Sequence, residues 1–266
     1  MSDFHVTFLG TGTSQGIPMI GCLCPVCCSP DSRDNRTRAS LYLQTPEMAF
    51  VVDTGPDFRT QCLRERVGRV DAVLLSHSHT DHIMGFDDLR RFSDLRRHAG
   101  EGALPIFARA EHMADLQRVF AFAFDPKFRF PGYLHVEPHV IKKPFRLGET
   151  EVMPLPVPHG FMDVTGFLFS RGGRKLFGYF SDCKELPPAV RDELAGVEVL
   201  VIDALRHKPH PTHMRLEEAL ETAAAIGAQQ TLLTHLCHDL PHAETEETLP
   251  AGVRIAYDGL RLTLGK

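Results

Sequence analysis

The chain has 266 residues, of which 43% are hydrophobic and 24% are charged, values typical of a globular protein with a sizeable core. Its formal net charge of −5 argues against a broad basic surface for bulk nucleic acid, although a few cations could still form a local phosphate site. No apolar run reaches the roughly 18–20 residues of a membrane span, and no basic leader precedes the first strand-like run, so we expect a cytoplasmic protein without membrane partners.

Hydrophobic periodicity predicts alternating strands and helices in the first half of the chain. The predicted elements are, in chain order, a strand at residues 4–9, a hairpin of strands at 39–44 and 48–53, a helix at 57–67, a buried strand at 72–76, a helix at 85–97, a strand at 105–108 and a helix at 111–124. In the helix at 85–97, three-residue steps place the apolar residues on one face, namely Phe86, Leu89, Phe92 and Leu95.

The second half continues the same alternation. Strands are predicted at 151–157, 164–170, 175–179, 198–203 and 231–233, helices at 186–195 and 216–226, and a terminal strand region at 255–264 that breaks at Asp258-Gly259. No repeat, low-complexity tract or flexible linker divides the chain. We therefore predict one domain over residues 1–266.

The densest set of metal-binding side chains lies in the segment 77–82, which contains His77, His79, Asp81 and His82. Imidazole nitrogen and carboxylate oxygen are ligands that zinc, manganese and iron accept. Residues two apart in an extended backbone face the same side, so His77 and His79 can bind one ion together. Asp81 and His82 follow about one turn later, where a helix begins, and can face a second ion.

Three further candidate ligands, His159, Asp182 and His235, each directly follow an apolar strand-like run, as His77 does. Side chains at strand ends and in the loops beyond can converge on one edge of a sheet scaffold. A carboxylate such as Asp182 can bridge two ions. Without this context, a lone histidine would be better interpreted as a core or surface residue.

The His-x-His-x-Asp-His motif at 77–82, followed by single His, Asp and His residues in that order, resembles the metallo-β-lactamase superfamily. The resemblance covers essentially the whole chain and implies an α/β fold, an αββα sandwich of two mixed sheets with helices on both outer faces. It also implies attack on the substrate by a hydroxide that bridges two cations. One metal would be held by His77, His79, His159 and Asp182, and the other by Asp81, His82, Asp182 and His235.

Asp53 follows a strand and precedes Thr54-Gly55, where it matches the aspartate that orients metal ligands by hydrogen bonding in that family. An ordinary turn aspartate is the alternative interpretation. The ligand set suits two divalent ions, zinc or manganese, with iron as a further candidate. The ligands alone do not distinguish these metals, because availability selects among them as much as affinity does.

Seven cysteines in a chain without a leader favour thiolate metal binding over a disulfide framework. Cys22, Cys24 and Cys27 need one more ligand for a closed tetrahedral zinc site, and His238 is the first candidate, with Cys237 or Cys28 as substitutes. Three thiols without a metal are the alternative. Cys62 and Cys183 are interpreted as small core residues.

A Cys-x-Cys-x-x-Cys loop soon after the first strand, paired with the His-x-x-His at 235–238, resembles the cyclic phosphodiesterase branch of the superfamily, typified by phosphoribosyl 1,2-cyclic phosphate phosphodiesterase. The resemblance implies a structural zinc that fixes the N-terminal loop beside the active site.

Phosphodiester hydrolysis requires a proton donor for the departing oxygen, and a histidine suits that role. His213 matches a histidine of the resembled family that contacts phosphate and donates the proton, while His207 is a rival. Arg206 and Lys208 could add positive charge, although a solvated basic loop is an equal alternative. The arginines at 33, 36 and 38 could also reach phosphate, but the interpretation as ordinary residues without a functional role is favoured.

The segment 120–133 is rich in phenylalanine, with Phe120, Phe122, Phe124, Phe128, Phe130 and Tyr133. These rings could stack on a base or ribose, but core packing or the interface of a homodimer is the favoured interpretation.

Together these features predict a dinuclear metal phosphodiesterase for a small cyclic or nucleotide-like phosphodiester. A tRNA 3′-processing endonuclease is an alternative, although no basic insertion resembling its tRNA-binding arm is found. A hydrolase of carbon esters or thioesters is another. The non-enzymatic alternative is a carrier like the related protein of pyrroloquinoline quinone biosynthesis, which shares the cysteine loop but lacks an intact histidine cluster.

Overall fold

Two seven-stranded β-sheets pack face to face in the computed structural model, which describes residues 4–128 and 130–265. The strands are β1 (Phe4–Gly10), β2 (Ser40–Gln44), β3 (Ala49–Val52), β4 (Ala72–Leu74), β5 (Leu104–Ala108), β6 (Val136–Val140), β7 (Phe145–Leu147), β8 (Thr150–His159), β9 (Met162–Arg171), β10 (Arg174–Phe180), β11 (Val199–Asp203), β12 (Gln230–Thr234), β13 (Val253–Ile255) and β14 (Arg261–Leu264). The first sheet has the order β14-β1-β2-β3-β4-β5-β6, and the second has the order β13-β12-β11-β10-β9-β8-β7.

Helices cover the outer faces of both sheets. They are α1 (Phe58–Glu65), α2 (Thr80–Ile83), α3 (Arg90–His98), α4 (Ala110–Val119), α5 (Ala121–Phe124), α6 (Pro188–Leu194), α7 (Leu216–Ile226) and α8 (His242–Thr248), with 3-10 turns at Ser32–Asp34, Phe86–Leu89 and Pro126–Phe128. Among the described residues, no helix combines the length and apolar content that crossing a bilayer requires.

The core between the sheets centres on phenylalanine. The ring of Phe169 lies 5.9–6.2 Å from those of Phe4, Phe50, Phe167 and Phe177. Removing one such buried ring typically costs about 3–5 kcal/mol of folding free energy.

Side chains of a strand alternate between the two faces of its sheet, so a central strand contributes side chains to two hydrophobic cores. In β3, Phe50 and Val52 belong to the inter-sheet core, whereas Ala49 and Val51 pack beneath the helices of the first sheet. A third core joins the second sheet to α6 and α7. The predicted αββα sandwich is confirmed.

Each sheet contains a parallel block, β3-β4-β5-β6 in the first and β10-β11-β12-β13 in the second. Because parallel strands end at the same edge, residues that directly follow them lie close together, as in other open α/β sheets.

Two predicted helices differ in detail from the observed ones. The helix expected at 111–124 breaks at Phe120, whose backbone angles (φ −114°, ψ 43°) are not helical, and forms α4 and α5. The helix expected at 85–97 begins as a 3-10 turn and continues as α3. Its Leu95 is 38% exposed, because three-residue steps drift around a helix of 3.6 residues per turn.

Sequence patterns missed β6, β7 and α8, which are short and carry several polar residues. The terminal strand region predicted at 255–264 divides between the sheets, with β13 in the second and β14 in the first. The single domain over residues 1–266 stays a prediction, and positions 1–3, 129 and 266 lie outside the described residues.

Candidate metal centre

The predicted ligands gather at the carboxyl edges of the two sheets. In the first sheet, β3 leads into Asp53 and β4 leads into the segment 77–82. In the second sheet, β8 ends at His159, β10 precedes Asp182 and β12 precedes His235. The structure therefore brings together residues that are far apart along the chain.

His77, His79 and His159 form the first group, with ligand atoms within 4.8 Å of one another. His77 Nε2 lies 2.9 Å from His79 Nδ1, and the ring of His159 lies 5.4 and 5.2 Å from the rings of His77 and His79. Burial lowers the pKa of His159 to about 4, and burial together with nearby histidines lowers the pKa of His77. Neutral imidazoles are the form that binds a metal ion.

Asp81, His82, Asp182 and His235 form the second group, which is buried and also lies within 4.8 Å. His82 Nε2 lies 3.2 Å from Asp81 and 3.3 Å from Asp182, and His235 Nε2 lies 3.2 Å from Asp182. Asp182 also lies within 4.8 Å of His159 and His213, so its carboxylate stands between the two groups.

In the second group, interactions between buried charges determine the direction of the pKa shifts. Burial favours the neutral carboxyls of Asp81 and Asp182, but neighbouring imidazoles outweigh it and hold the pKa of both below its usual value. Burial likewise opposes charge on His82, yet the surrounding carboxylates raise its pKa well above the usual value.

Several polar atoms of this group have no hydrogen-bond partner among residues 4–128 and 130–265, namely His82 Nε2, Asp182 Oδ1 and both ring nitrogens of His235. An unpartnered buried polar atom costs about 1–3 kcal/mol. A neutral imidazole offers one lone pair, so divalent cations would bind His82 Nε2, Asp182 Oδ1 and one ring nitrogen of His235, and would offset the carboxylate charge. The donor set therefore fits the divalent metal ions that the fold implies.

Hydrogen bonds fix how the imidazoles face the centre. His82 Nδ1 donates to Asp53 Oδ2 at 2.8 Å, and His159 Nδ1 donates to the Thr212 carbonyl at 3.0 Å. His77 Nδ1 lies 3.0 Å from the Ser76 hydroxyl, which itself donates to Asp53 Oδ2. A proton held on Nδ1 leaves the Nε2 lone pair directed inward.

Asp53 lies behind the ligands and contacts them by hydrogen bonds. Its Oδ1 accepts from the Ser76 backbone N–H at 2.7 Å, and it is fully buried. Its φ of +62° is uncommon for a residue with a side chain. Two residues later, a Cβ on Gly55 would lie 2.1 Å from the Asp81 carbonyl oxygen, so only glycine fits this approach.

Of the two candidate proton donors, only His213 borders the centre. Its ring lies 4.8 Å from that of His235 and 4.7 Å from that of His159. Burial lowers the pKa of His213. His207 is exposed instead and pairs with Glu217 at 2.9 Å.

Sequence reasoning missed the partner of His213. Asp203, the last residue of β11, accepts a hydrogen bond from His213 Nδ1 at 2.6 Å and another from the Cys183 backbone N–H at 3.0 Å. Burial raises the pKa of Asp203. Its position at the end of an apolar strand, like those of Asp182 and His235, was the signal that could have identified it.

A second cluster lies in the N-terminal loop. His238 Nδ1 is 3.3, 3.4 and 3.7 Å from the sulfurs of Cys22, Cys24 and Cys27. A hydrogen bond from the Cys27 backbone N–H lowers the pKa of Cys24 to about 7, which favours the thiolate. The suggested substitutes lie outside this group of four.

The predicted arginines have structural partners. Arg33 pairs with Asp31 at 2.7 Å and Arg38 pairs with Asp57 at 3.1 Å. Arg36 is fully buried. These contacts agree with the favoured interpretation of all three as ordinary residues.

Arg36 links the two ends of the chain. Its guanidinium donates to the carbonyls of Cys237 at 2.9 Å and Leu240 at 2.6 Å, and to Asp34 Oδ1 at 3.0 Å. Asp34 Oδ1 also accepts from the His242 backbone N–H. Removing one partner of such a buried ion pair typically costs about 3–5 kcal/mol.

The ligand groups open into a cleft of about 300 Å³, lined by residues that include Ser14, His79, Phe161, Asp182 and His213. Three larger surface hollows, of about 420, 450 and 360 Å³, contain none of the predicted ligands. The phenylalanines of segment 120–133 do not appear in the cleft lining within the described part of the chain, whereas Phe161, which sequence reasoning missed, does.

Comparisons with known proteins agree with this architecture. The family described as the Beta-lactamase superfamily domain matches residues 49–236. A solved structure described as a new diphosphatase from the PhnP family has a TM-score of 0.89 and 39% sequence identity, with 97% of each chain covered.

Two sequence relatives carry different names. An octanoyltransferase of Porphyromonas gingivalis is 34% identical over 260 residues, which are 95% of this chain but 50% of that protein, so the chain spans about half its length. Coenzyme PQQ synthesis protein B of Methylobacterium radiotolerans is 25% identical in an alignment 303 positions long, which covers 98% of this chain and 100% of that protein.

Proposed function

The chain belongs to the β-lactamase superfamily and has the fold of its metal-dependent hydrolases, and on this premise we propose that it is a dinuclear phosphodiesterase. Its proposed substrate is a small cyclic or nucleotide-like phosphodiester. The convergence of two metal-binding groups with His213 in one cleft carries the proposal.

We assign His77, His79 and His159 to one ion, and Asp81, His82 and His235 to the other. Asp182 is close to both groups and would contact both ions. Two bound cations would lower the pKa of a water molecule and offset the negative charge of a phosphodiester. Asp53 would keep His82 oriented, because its carboxylate holds the Nδ1 proton.

His213 is the proposed proton donor to the leaving oxygen. Its Nδ1 is occupied by Asp203, so Nε2 is the ring atom available to a substrate. A bound phosphate anion beside the ring would favour its charged form and counter the effect of burial.

The substrate class follows from two observations. The relative described as a diphosphatase acts on phosphate linkages, as its name states, and it is 39% identical over nearly the whole chain. The cleft of about 300 Å³ lies at the small end of the range for ligand sites, which favours a small molecule over a macromolecule.

We further propose that Cys22, Cys24, Cys27 and His238 hold a structural zinc. Thiolates and one imidazole form a closed tetrahedral set for zinc. This ion would fix the N-terminal loop beside the cleft.

The proposal is tested by metal analysis of the purified protein and a substrate panel. The panel contains bis-p-nitrophenyl phosphate, cyclic nucleotides, cyclic ribose phosphates, a dinucleoside diphosphate, precursor tRNA and a thioester. We expect hydrolysis of the small phosphate substrates, loss of activity on chelation and recovery on adding a divalent ion.

His213→Ala should retain its metals and lose about 100-fold or more in turnover of diesters with poor leaving groups, with a smaller loss for p-nitrophenolate. His207→Ala is the matched control, since that side chain is exposed. Full activity of His213→Ala on every diester would remove it as the acid. Preference of the loaded protein for precursor tRNA or the thioester would contradict the proposed substrate class.

A further inference from the structure

The turn between β8 and β9 exposes an aromatic ring at the mouth of the cleft. His159 pairs with Met162, so the turn consists of Gly160 and Phe161 alone. Phe161 has a relative accessibility of 112%, yet it lines the cleft that contains the candidate ligands. A phenylalanine that contacts so little protein contributes little to folding.

The backbone of this turn is held in place by its surroundings. Gly160 has a φ of +66°, which glycine adopts readily, and a Cβ there would lie 2.7 Å from Thr212 Cγ2. The Thr212 carbonyl accepts from His159, and Thr212 directly precedes His213. The turn is thus packed against the loop that carries the proposed acid.

Other exposed aromatic residues lack this placement. Phe128, Phe130 and Tyr133 are 41%, 61% and 49% exposed, but the cleft lining over residues 4–128 and 130–265 includes none of them. Phe161 therefore combines two features, full exposure and a location two residues from a candidate metal ligand.

We propose that Phe161 binds a planar aromatic group of the substrate, a nucleobase, by ring stacking. This inference rests on the proposed phosphodiesterase function and narrows its substrates to nucleoside-bearing phosphodiesters. The phosphate would lie beside the two groups of candidate metal ligands, while the base would lie on the Phe161 ring at the mouth of the cleft. Every base presents an aromatic face, so stacking on Phe161 would add affinity without requiring hydrogen bonds that distinguish one base from another.

The kinetic test uses two substrates that differ in the base, 2′,3′-cyclic AMP and a base-free cyclic ribose phosphate. Phe161→Ala should raise KM for the cyclic nucleotide about tenfold and leave kcat within about twofold. KM for the base-free substrate should not change. Phe161→Tyr should restore the lower KM, and Phe130→Ala is the matched control for loss of an exposed ring.

A binding test is independent of turnover. The sequence contains no tryptophan, so Phe161→Trp introduces a single tryptophan at the rim, whose emission can be excited apart from that of the four tyrosines. We expect AMP, but not ribose 5-phosphate, to quench its emission in a saturable manner. A tryptophan placed by Phe130→Trp should not respond.

The outcomes separate this inference from the proposed function. If no phosphodiester is hydrolysed but AMP quenches the rim tryptophan, the phosphodiesterase function fails while the base-binding site stands. If diesters are hydrolysed but Phe161→Ala changes KM equally for both substrates, or AMP causes no quenching, the stacking site is overturned and the phosphodiesterase remains.

Discussion

The two candidate metal centres differ in what holds their ligands in place. In the histidine–aspartate centre, strands of both sheets supply the ligands, and Asp53, Ser76 and Thr212 orient the imidazoles through hydrogen bonds. In the cysteine centre, three thiols lie in one loop beside a small apolar cluster that includes Ile17 and Val26, and backbone N–H groups of the same loop donate to the sulfurs of Cys24 and Cys27.

The two centres thus differ in whether the fold places the ligands before an ion binds. Packed sheets and hydrogen bonds support the geometry of the first centre before any ion binds, whereas the loop geometry of the second would depend more on the proposed zinc. Loss of metal should therefore affect activity at one centre and stability at the other.

The largest expected effect comes from Asp182→Asn, which removes a carboxylate charge between the two ligand groups. We expect lower metal content and a fall in turnover of at least about 100-fold. In chelator-treated protein at neutral pH the same change should lower stability, because the imidazoles of His235 and His82, which hold the pKa of Asp182 below its usual value, lose that carboxylate. Metal analysis, kinetics and thermal unfolding measure these effects, with the exposed Asp192→Asn as control. Retention of two ions with full turnover would show that Asp182 is not a ligand.

An intermediate effect is expected for Cys24→Ser, which should release about one equivalent of zinc and lower Tm by about 5 °C. The metals of the histidine–aspartate centre should remain. Cys28→Ser is the matched control, because Cys28 is adjacent but exposed and outside the cluster. Unchanged zinc content in Cys24→Ser would defeat the structural-site proposal.

The smallest effect concerns the pH dependence of chelator-treated protein. The pKa of His159 is about 4 in the folded state, below its ordinary value of 6.5, so the unfolded chain binds the extra proton between these values. The free energy of unfolding therefore decreases as pH falls from about 6.5 to about 4, by at most about 1.4 kcal/mol per pH unit.

His159→Gln should lack this share of the acid sensitivity. The stability advantage of the original protein over the variant should shrink as pH falls through that range, as measured by urea unfolding at several pH values. The exposed His98→Gln serves as control. A difference that stays constant with pH would mean that His159 titrates normally in the folded state.

The sandwich was implied by the resemblance to the metallo-β-lactamase superfamily, whereas the candidate ligands could be predicted from the residues for one physical reason. Strands that bury both faces are continuous apolar runs, so a polar residue directly after them, such as Asp182 or His235, is conspicuous. The cluster at 77–82 has the same origin, since it follows β4. Which ions these residues bind stays a prediction.

Other features depended on contacts that local patterns do not contain. Asp203 has the same strand-end position as the candidate ligands, but its pairing with His213 is visible only in the folded chain. At the helix break, the ring of Phe120 lies 5.0 Å from that of Phe86, a contact between segments that a local pattern does not contain. Phe161 looks like an ordinary turn residue, and only its position at the cleft gives it a role.

The buried guanidinium of Arg36 also constrains how the molecule can be made. Its partners Cys237 and Leu240 are more than 200 residues away, as is the contact between Asp34 and His242. During synthesis the N-terminal segment emerges first, yet Asp34 and Arg36 can form these contacts only after nearly the whole chain has left the ribosome. Both centres are therefore completed late, and a chain that stopped before residue 235 would lack a ligand at each of them.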